Sequence, residues 1–141
     1  MKRSAIVMSP AVRRAMVAQA RREHPQECCG LLVGDRGHVQ FAVSMRNIAA
    51  SATRYRVDDA AHLELRRVLR QFSPRLSIIG VYHSHPAGAA EPSRTDIDEA
   101  MYPEWAYIII GHEPRRMSVR AFRICAGTVR ELGIDWRTQP A

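Results

Sequence analysis

The sequence predicts an α+β fold, a three-layer arrangement in which helices flank a mostly antiparallel central sheet. Three observations lead there. Helical and extended segments are mixed along the chain rather than strictly alternating, which argues against a repeated βαβ plan. Two pairs of apolar segments are joined by short turn sequences: "CCGLLVG" to "HVQFAVSM" across "DRG", and "WAYIIIGH" to "MSVRAFRI" across "EPRR". Two other stretches carry apolar residues at helical spacing.

Taken in order, "SAIVM" at 4–8 reads as a first strand. Ser9 and Pro10 supply an N-cap and a first helical position, and "AVRRAMVAQARRE" continues with Val12, Ala15, Met16 and Gln19 at helical spacing. His24–Pro25 stops this helix, because a residue before proline avoids the α region. In the hairpin that follows, Gly34 and Gly37 are expected to provide positive φ. A second helix is predicted from Asp58–Asp59, acids that suit the positive end of a helix dipole. Leu65, Val68, Leu69 and Phe72 form its apolar stripe, and Ser73–Pro74 ends it. "LSIIGVYHSHP" is apolar enough for a central strand. A loop with Pro86, Gly88 and Pro92 leads to a short helix, "SRTDIDEAMY", then to the second hairpin and a last strand, "GTVREL".

Composition narrows the function classes. The 141 residues, 25% charged and 46% hydrophobic, predict one globular domain over 1–141. The basic start "MKRSAIVMSPAVRR" is broken by Pro10 and Arg13–Arg14, too soon for a signal peptide, and no stretch approaches a membrane span. A cytoplasmic location is expected. Cys28, Cys29 and Cys125 are odd in number and lack Cys-x-x-Cys spacing, which fits reduced thiols rather than a disulfide scaffold. The adjacent pair reads as two small strand residues facing opposite sides. The net charge of +7 comes almost wholly from arginine and favours an acidic partner. No arginine run interleaves with aromatics, so nucleic acid is a poor fit, and oligomeric state is left open.

The chemistry concentrates in "HSHPAGAAEPSRTD", residues 83–96. Strand side chains alternate, so His83 and His85 share one face and Ser84 takes the other. The loop after Pro86 is long enough to return Asp96 to the imidazoles. Two imidazoles and one carboxylate give a tetrahedral zinc an open fourth position, the ligand count of a catalytic site. The plainer alternatives are a hydrogen-bonded histidine pair and a helix capping box, with Ser93 as N-cap and Asp96 folded back onto its amide. The two uses of Asp96 are expected to compete. Glu27, in "HPQECCGLLVG", is the candidate proton carrier, although a strand-end acid in water is the plainer reading. His24, His38, His62 and His112 read as surface residues, His38 being the one whose hairpin tip is placed to reach a neighbouring site.

His83-x-His85-Pro86, six residues, Ser93, two residues and Asp96 together resemble the signature of the JAMM, or MPN-plus, metalloproteases. "PQECCGLLVG" is similar to the glutamate-bearing strand of their small bacterial members, and "EPSRTDIDEAMYP" and "VRAFRI" also look like that subgroup. The resemblance spans about residues 4–132 and implies a cytidine-deaminase-like MPN fold. It implies a zinc peptidase that hydrolyses the bond after the C-terminal glycines of a ubiquitin-like, β-grasp sulfur-carrier protein. The released group would be an amino acid such as cysteine, or a C-terminal extension. It makes His83, His85 and Asp96 the Zn2+ ligands, Glu27 the general acid/base and Ser93 the oxyanion support. Two alternatives stand beside it: a DNA-associated RadC-like protein, which shares a similar histidine stretch, and a non-catalytic MPN scaffold.

Overall fold

In the computed structural model, residues 5–137 are described, and Ser4 of the predicted first strand lies outside them. The elements run β1 (Ala5–Met8), α1 (Pro10–Glu23), β2 (Cys29–Asp35), β3 (His38–Met45), α2 (Asp59–Phe72), β4 (Ser77–His85), α3 (Arg94–Glu99), β5 (Ala106–His112), β6 (Met117–Cys125) and β7 (Thr128–Trp136).

The three-layer, mostly antiparallel expectation is wrong. The seven strands form one mixed sheet that closes on itself as a barrel in the order β1-β3-β2-β4-β5-β6-β7. Three pairings are parallel: β1 with β3, β1 with β7, and β4 with β5. The cause is β1. Ile6, Val7 and Met8 are all buried, so this short strand needs cover on both faces and a neighbour on each edge. It pairs with Gly133–Trp136 at the far end of the chain and, through Val7, with His38. Pairing over such a separation leaves no local trace in the sequence.

The helices divide the apolar side chains between two clusters. Met16, Val17 and Ala20 of α1 pack with Ile6, Leu32, Tyr82, Ile108 and Ile110. On the opposite face of the same strands, Leu31, Val81 and Ile109 pack with Trp105, and Leu65 and Leu69 of α2 lie against them. Several local expectations need adjustment. Ala15 is exposed, and the buried face of α1 runs through Val12, Met16, Val17, Gln19 and Ala20. Phe72, assigned to the apolar stripe of α2, is 69% exposed. Positive φ in the first hairpin belongs to Arg36 and Gly37, whereas Gly34 sits where the β2–β3 register shifts, its α-carbon against the His38 carbonyl. The short helix stops at Glu99 rather than Tyr102. Cys28 and Cys29 face opposite sides as expected, fully buried with one in each cluster, although only Cys29 is in β2 and Cys28 immediately precedes it. Among the described residues, no helix is long and apolar enough to cross a membrane.

Candidate metal centre

β4 is a central strand, antiparallel to β2 and parallel to β5, so the backbone carrying the histidines is held from both sides. His83 faces Cys29 across β2, and His85 lies beside Gly111 of β5. The loop after β4 folds directly onto Gly111. A Cβ there would stand 2.6 Å from Ala90 N and 2.5 Å from Ser118 Oγ, so only glycine lets the loop this close. The His112 N–H pins the loop by donating to the Gly88 carbonyl at 3.0 Å. That seat places the Ala89 carbonyl 2.9 Å from His85 Nδ1.

A carbonyl only accepts, so His85 Nδ1 carries a proton, and when the ring is neutral its Nε2 lone pair turns into the site. His83 Nε2 lies 3.1 Å from His85 Nε2. Asp96 Oδ2 lies 3.1 Å from the first and 3.0 Å from the second. Two imidazole nitrogens and a carboxylate oxygen thus form a triangle whose lone pairs need a shared proton or a cation among them. In tetrahedral zinc, with ligands at about 2.0–2.1 Å, neighbouring donor atoms are about 3.3 Å apart. The triangle is close to that size, and the donor set is the one zinc favours.

The expected competition for Asp96 does not occur. Its Oδ2 accepts from the Ser93 N–H at 2.9 Å while also touching both rings, and Ser93 Oγ accepts from the Asp96 N–H at 3.0 Å. The capping box therefore orients the carboxylate instead of withdrawing it. Burial works against the charged carboxylate, but the two imidazoles beside it outweigh burial and hold Asp96 well below the usual carboxylate range. Burial lowers the pKa of His83, keeping that ring neutral.

Glu27 is not a solvated strand end. It is 3% exposed, and its Oε1 lies 4.0 Å from His83 Nε2 with no hydrogen-bond partner of its own. Ligand atoms of Glu27, His83 and His85 all fall within 4.8 Å of one another. Burial pushes Glu27 up to about 7, with His85 pulling it down and Asp96 pushing it up. Its backbone is fixed at three points: the Glu27 N–H donates to Ser51 O (2.8 Å), Asn47 Nδ2 donates to its carbonyl (3.0 Å), and the next amide, Cys28, donates to Ser84 Oγ (2.9 Å). Ser93 is exposed at the rim.

A profile described as prokaryotic homologues of the JAB domain matches residues 9–125, a span that holds Glu27, His83, His85, Ser93 and Asp96. The chain belongs to this family. Among its JAB-domain relatives, the CysO-cysteine peptidase of Mycobacterium tuberculosis is 37% identical over 124 residues, 86% of this chain and 84% of that protein. A probable TtuB-protein conjugate cleaving protease of Thermus thermophilus is 37% identical over 111 residues, 78% and 70% of the two chains. The solution structure of DSY2949 from Desulfitobacterium hafniense superimposes with a TM-score of 0.85 at 29% identity, covering 95% of this chain and 94% of that one.

The JAB-domain site contains groups that sequence reasoning passed over. Tyr55, in the unassigned stretch between β3 and α2, stacks on His83. Asn47 is 6% exposed and bonds to residues on both sides of Tyr55. Ser84 was placed only as facing away from the metal, yet it ties β4 to the backbone next to Glu27. A buried asparagine within a polar loop was the one available signal. Beside Tyr55 opens a cavity of about 510 Å³, walled by Val57, Tyr102, Trp105 and Tyr107 with Arg54 at its mouth. His62 reaches it, edge-on to the stacked Tyr102–Trp105 pair. His24 and His112 pack on each other, and His38 is exposed on β3; none of these joins the triangle.

Proposed function

We propose that this chain is a zinc-dependent peptidase or isopeptidase that hydrolyses the bond following the C-terminal glycines of a ubiquitin-like sulfur-carrier protein, releasing an attached amino acid or a C-terminal extension. One observation carries the chemistry: three mutually adjacent donor atoms of His83, His85 and Asp96, with a buried carboxylate whose Oε1, 4.0 Å from His83 Nε2, has no hydrogen-bond partner. The substrate class draws support from the names of the 37% identical relatives. The net charge of +7 suits an acidic carrier. Unpaired cysteines, two of them buried, fit a cytoplasmic setting.

His83, His85 and Asp96 are the ligands in this reading. Distance supports Asp96 over Glu27: Asp96 Oδ2 touches both imidazoles at 3.0–3.1 Å, whereas Glu27 stands off by 4.0 Å. When bound, zinc supplies Lewis acidity that lowers the pKa of a water to about 7 and polarises a carbonyl. Glu27 takes the proton of the attacking water as its oxygen bonds to the scissile carbon. Its raised pKa keeps proton uptake and return balanced near neutrality. Ser93 Oγ accepts from the Asp96 amide, which leaves its own O–H free to donate to the carbonyl oxygen as negative charge builds there. Glu27 then delivers the proton to the amine as the C–N bond breaks.

The decisive test is to incubate purified protein with carrier adducts and weigh the products, with and without chelator. Glu27→Gln is expected to retain zinc and lose turnover by about 10²–10⁴-fold. Near-normal rates in that variant would remove Glu27 from the mechanism.

A further inference from the structure

Imidazoles that ligate metals are normally aimed by a bond from the second ring nitrogen to a carbonyl or carboxylate. His85 follows this pattern through Ala89. His83 does not. Its Nδ1 is buried and has no hydrogen-bond partner, although the residue is only 1% exposed. The paired strands fix where its Cβ lies, but the last torsion of histidine is broad, so the backbone alone does not set the ring plane. Swinging that plane would carry Nε2 off the triangle with His85 and Asp96.

Apart from His85 and Asp96 at Nε2, one ring lies flat against it. The Tyr55 ring lies against the His83 ring with centroids 4.2 Å apart and planes 17° from parallel. This is a stacked pair, within the range over which ring contacts are favourable. Tyr55 is itself held from behind. Asn47 Nδ2 donates to Arg54 O at 3.0 Å, and Asn47 Oδ1 accepts from the Arg56 N–H at 2.9 Å, so one buried amide brackets Tyr55 on both sides. The Ile48 N–H adds a bond to Arg56 O at 3.0 Å. The same Asn47 also holds the Glu27 carbonyl. A single loop residue therefore registers Glu27 and the stacking ring against each other.

We propose that Tyr55 is the positioning residue for His83: its stacked ring, in place of a hydrogen bond, sets the imidazole plane and the direction of Nε2 toward the metal. The inference rests on His83 being a metal ligand. It requires a planar side chain at position 55 and has no need of the tyrosine hydroxyl.

Cobalt(II) alone is the probe, titrated into metal-stripped protein against a competing chelator, with the visible absorption of the bound ion as a second readout. Tyr55→Phe keeps the ring, and its affinity and spectrum are expected to match the unsubstituted protein. Tyr55→Met fills the space without a plane; about tenfold weaker binding or more is expected, with a changed spectrum. Tyr55→Leu is the replacement should the methionine variant not fold. Val57→Ala trims the same cavity wall without touching the stack and should bind as the parent does. Parent-like affinity and spectrum in the methionine or leucine variant overturn the proposal, as does an equal loss in Val57→Ala. If the unsubstituted protein takes up no cobalt, the ligand reading fails and the proposal falls with it.

Discussion

Replacing Ser84 by alanine removes one oxygen from the back of the site and tests how Glu27 is held. Ser84 is 2% exposed and sits between the two histidines on the opposite face of β4. Its hydroxyl accepts from the Cys28 N–H at 2.9 Å, while its own N–H donates to the Cys28 carbonyl at 3.1 Å. The second bond survives the substitution because it is backbone to backbone. The first does not, and Cys28 is fully buried, so its amide is left without an acceptor. Stranding a buried donor costs about 1–3 kcal/mol, more than the bond's net contribution, since desolvation of the amide is no longer offset. Urea unfolding of the metal-stripped protein should therefore show a lower midpoint at unchanged slope. Two of the three backbone anchors of Glu27 remain, those to Ser51 and Asn47, so the carboxylate loosens without leaving. Turnover should fall by about 10–100-fold, the scale on which small misplacements of reacting groups act, while metal affinity stays near that of the parent. A variant within about 0.5 kcal/mol of the parent's stability would mean that Cys28 finds another acceptor. Weakened metal binding with intact turnover would show that Ser84 serves the histidines and not Glu27.

Two further outcomes follow from the same geometry. Gly111→Ala introduces a Cβ 2.6 Å from Ala90 N, against backbone that cannot yield without moving the loop. Ala89 then leaves His85 Nδ1, and metal affinity measured by chelator competition should drop about 10–100-fold while the far-ultraviolet spectrum stays native. Parent affinity in that variant would show that the Ala89 bond is dispensable. Glu27 gives a pH signature in metal-stripped protein, because burial raises it to about 7 from an ordinary 4.5. A group raised on folding gives its full stability below the unfolded value and loses it as pH rises through the folded one. From pH 5 to pH 8 the parent should thus lose stability relative to Glu27→Gln, read from paired denaturant titrations; parallel curves would place Glu27 in water.

The candidate metal triangle was legible because its parts are close in sequence and obey short-range rules. Period-two alternation put His83 and His85 on one face, and a ten-residue loop is long enough to bring Asp96 back. Local rules failed where one atom serves two masters. The capping box and the ligand role looked exclusive when Asp96 was considered as a single direction, but Oδ2 lies where the Ser93 amide and both rings can reach it. The barrel was illegible for a different reason: β1 has only four residues, and its partners lie at Gly133–Trp136 and His38. Nothing within a window of residues distinguishes such a strand from the edge of an open sheet.

The supporting groups were the least visible part of the site, and their chemistry explains why. Tyr55 lies in "SATRYRVDD", a polar stretch with neither helical nor strand periodicity, and its ring earns its position from Asn47, eight residues upstream. Asn47 in turn bonds Glu27, twenty residues away along the chain and next to it in space. Each is an ordinary residue type whose role depends on a partner in another loop. The candidate ligands are chemically conspicuous and confined to fourteen residues, whereas the residues that support them are dispersed over 47–111. A reading that recovers the first set and misses the second follows from this division: metal chemistry selects residue types, but orientation can be supplied by any rigid neighbour that the fold brings within reach.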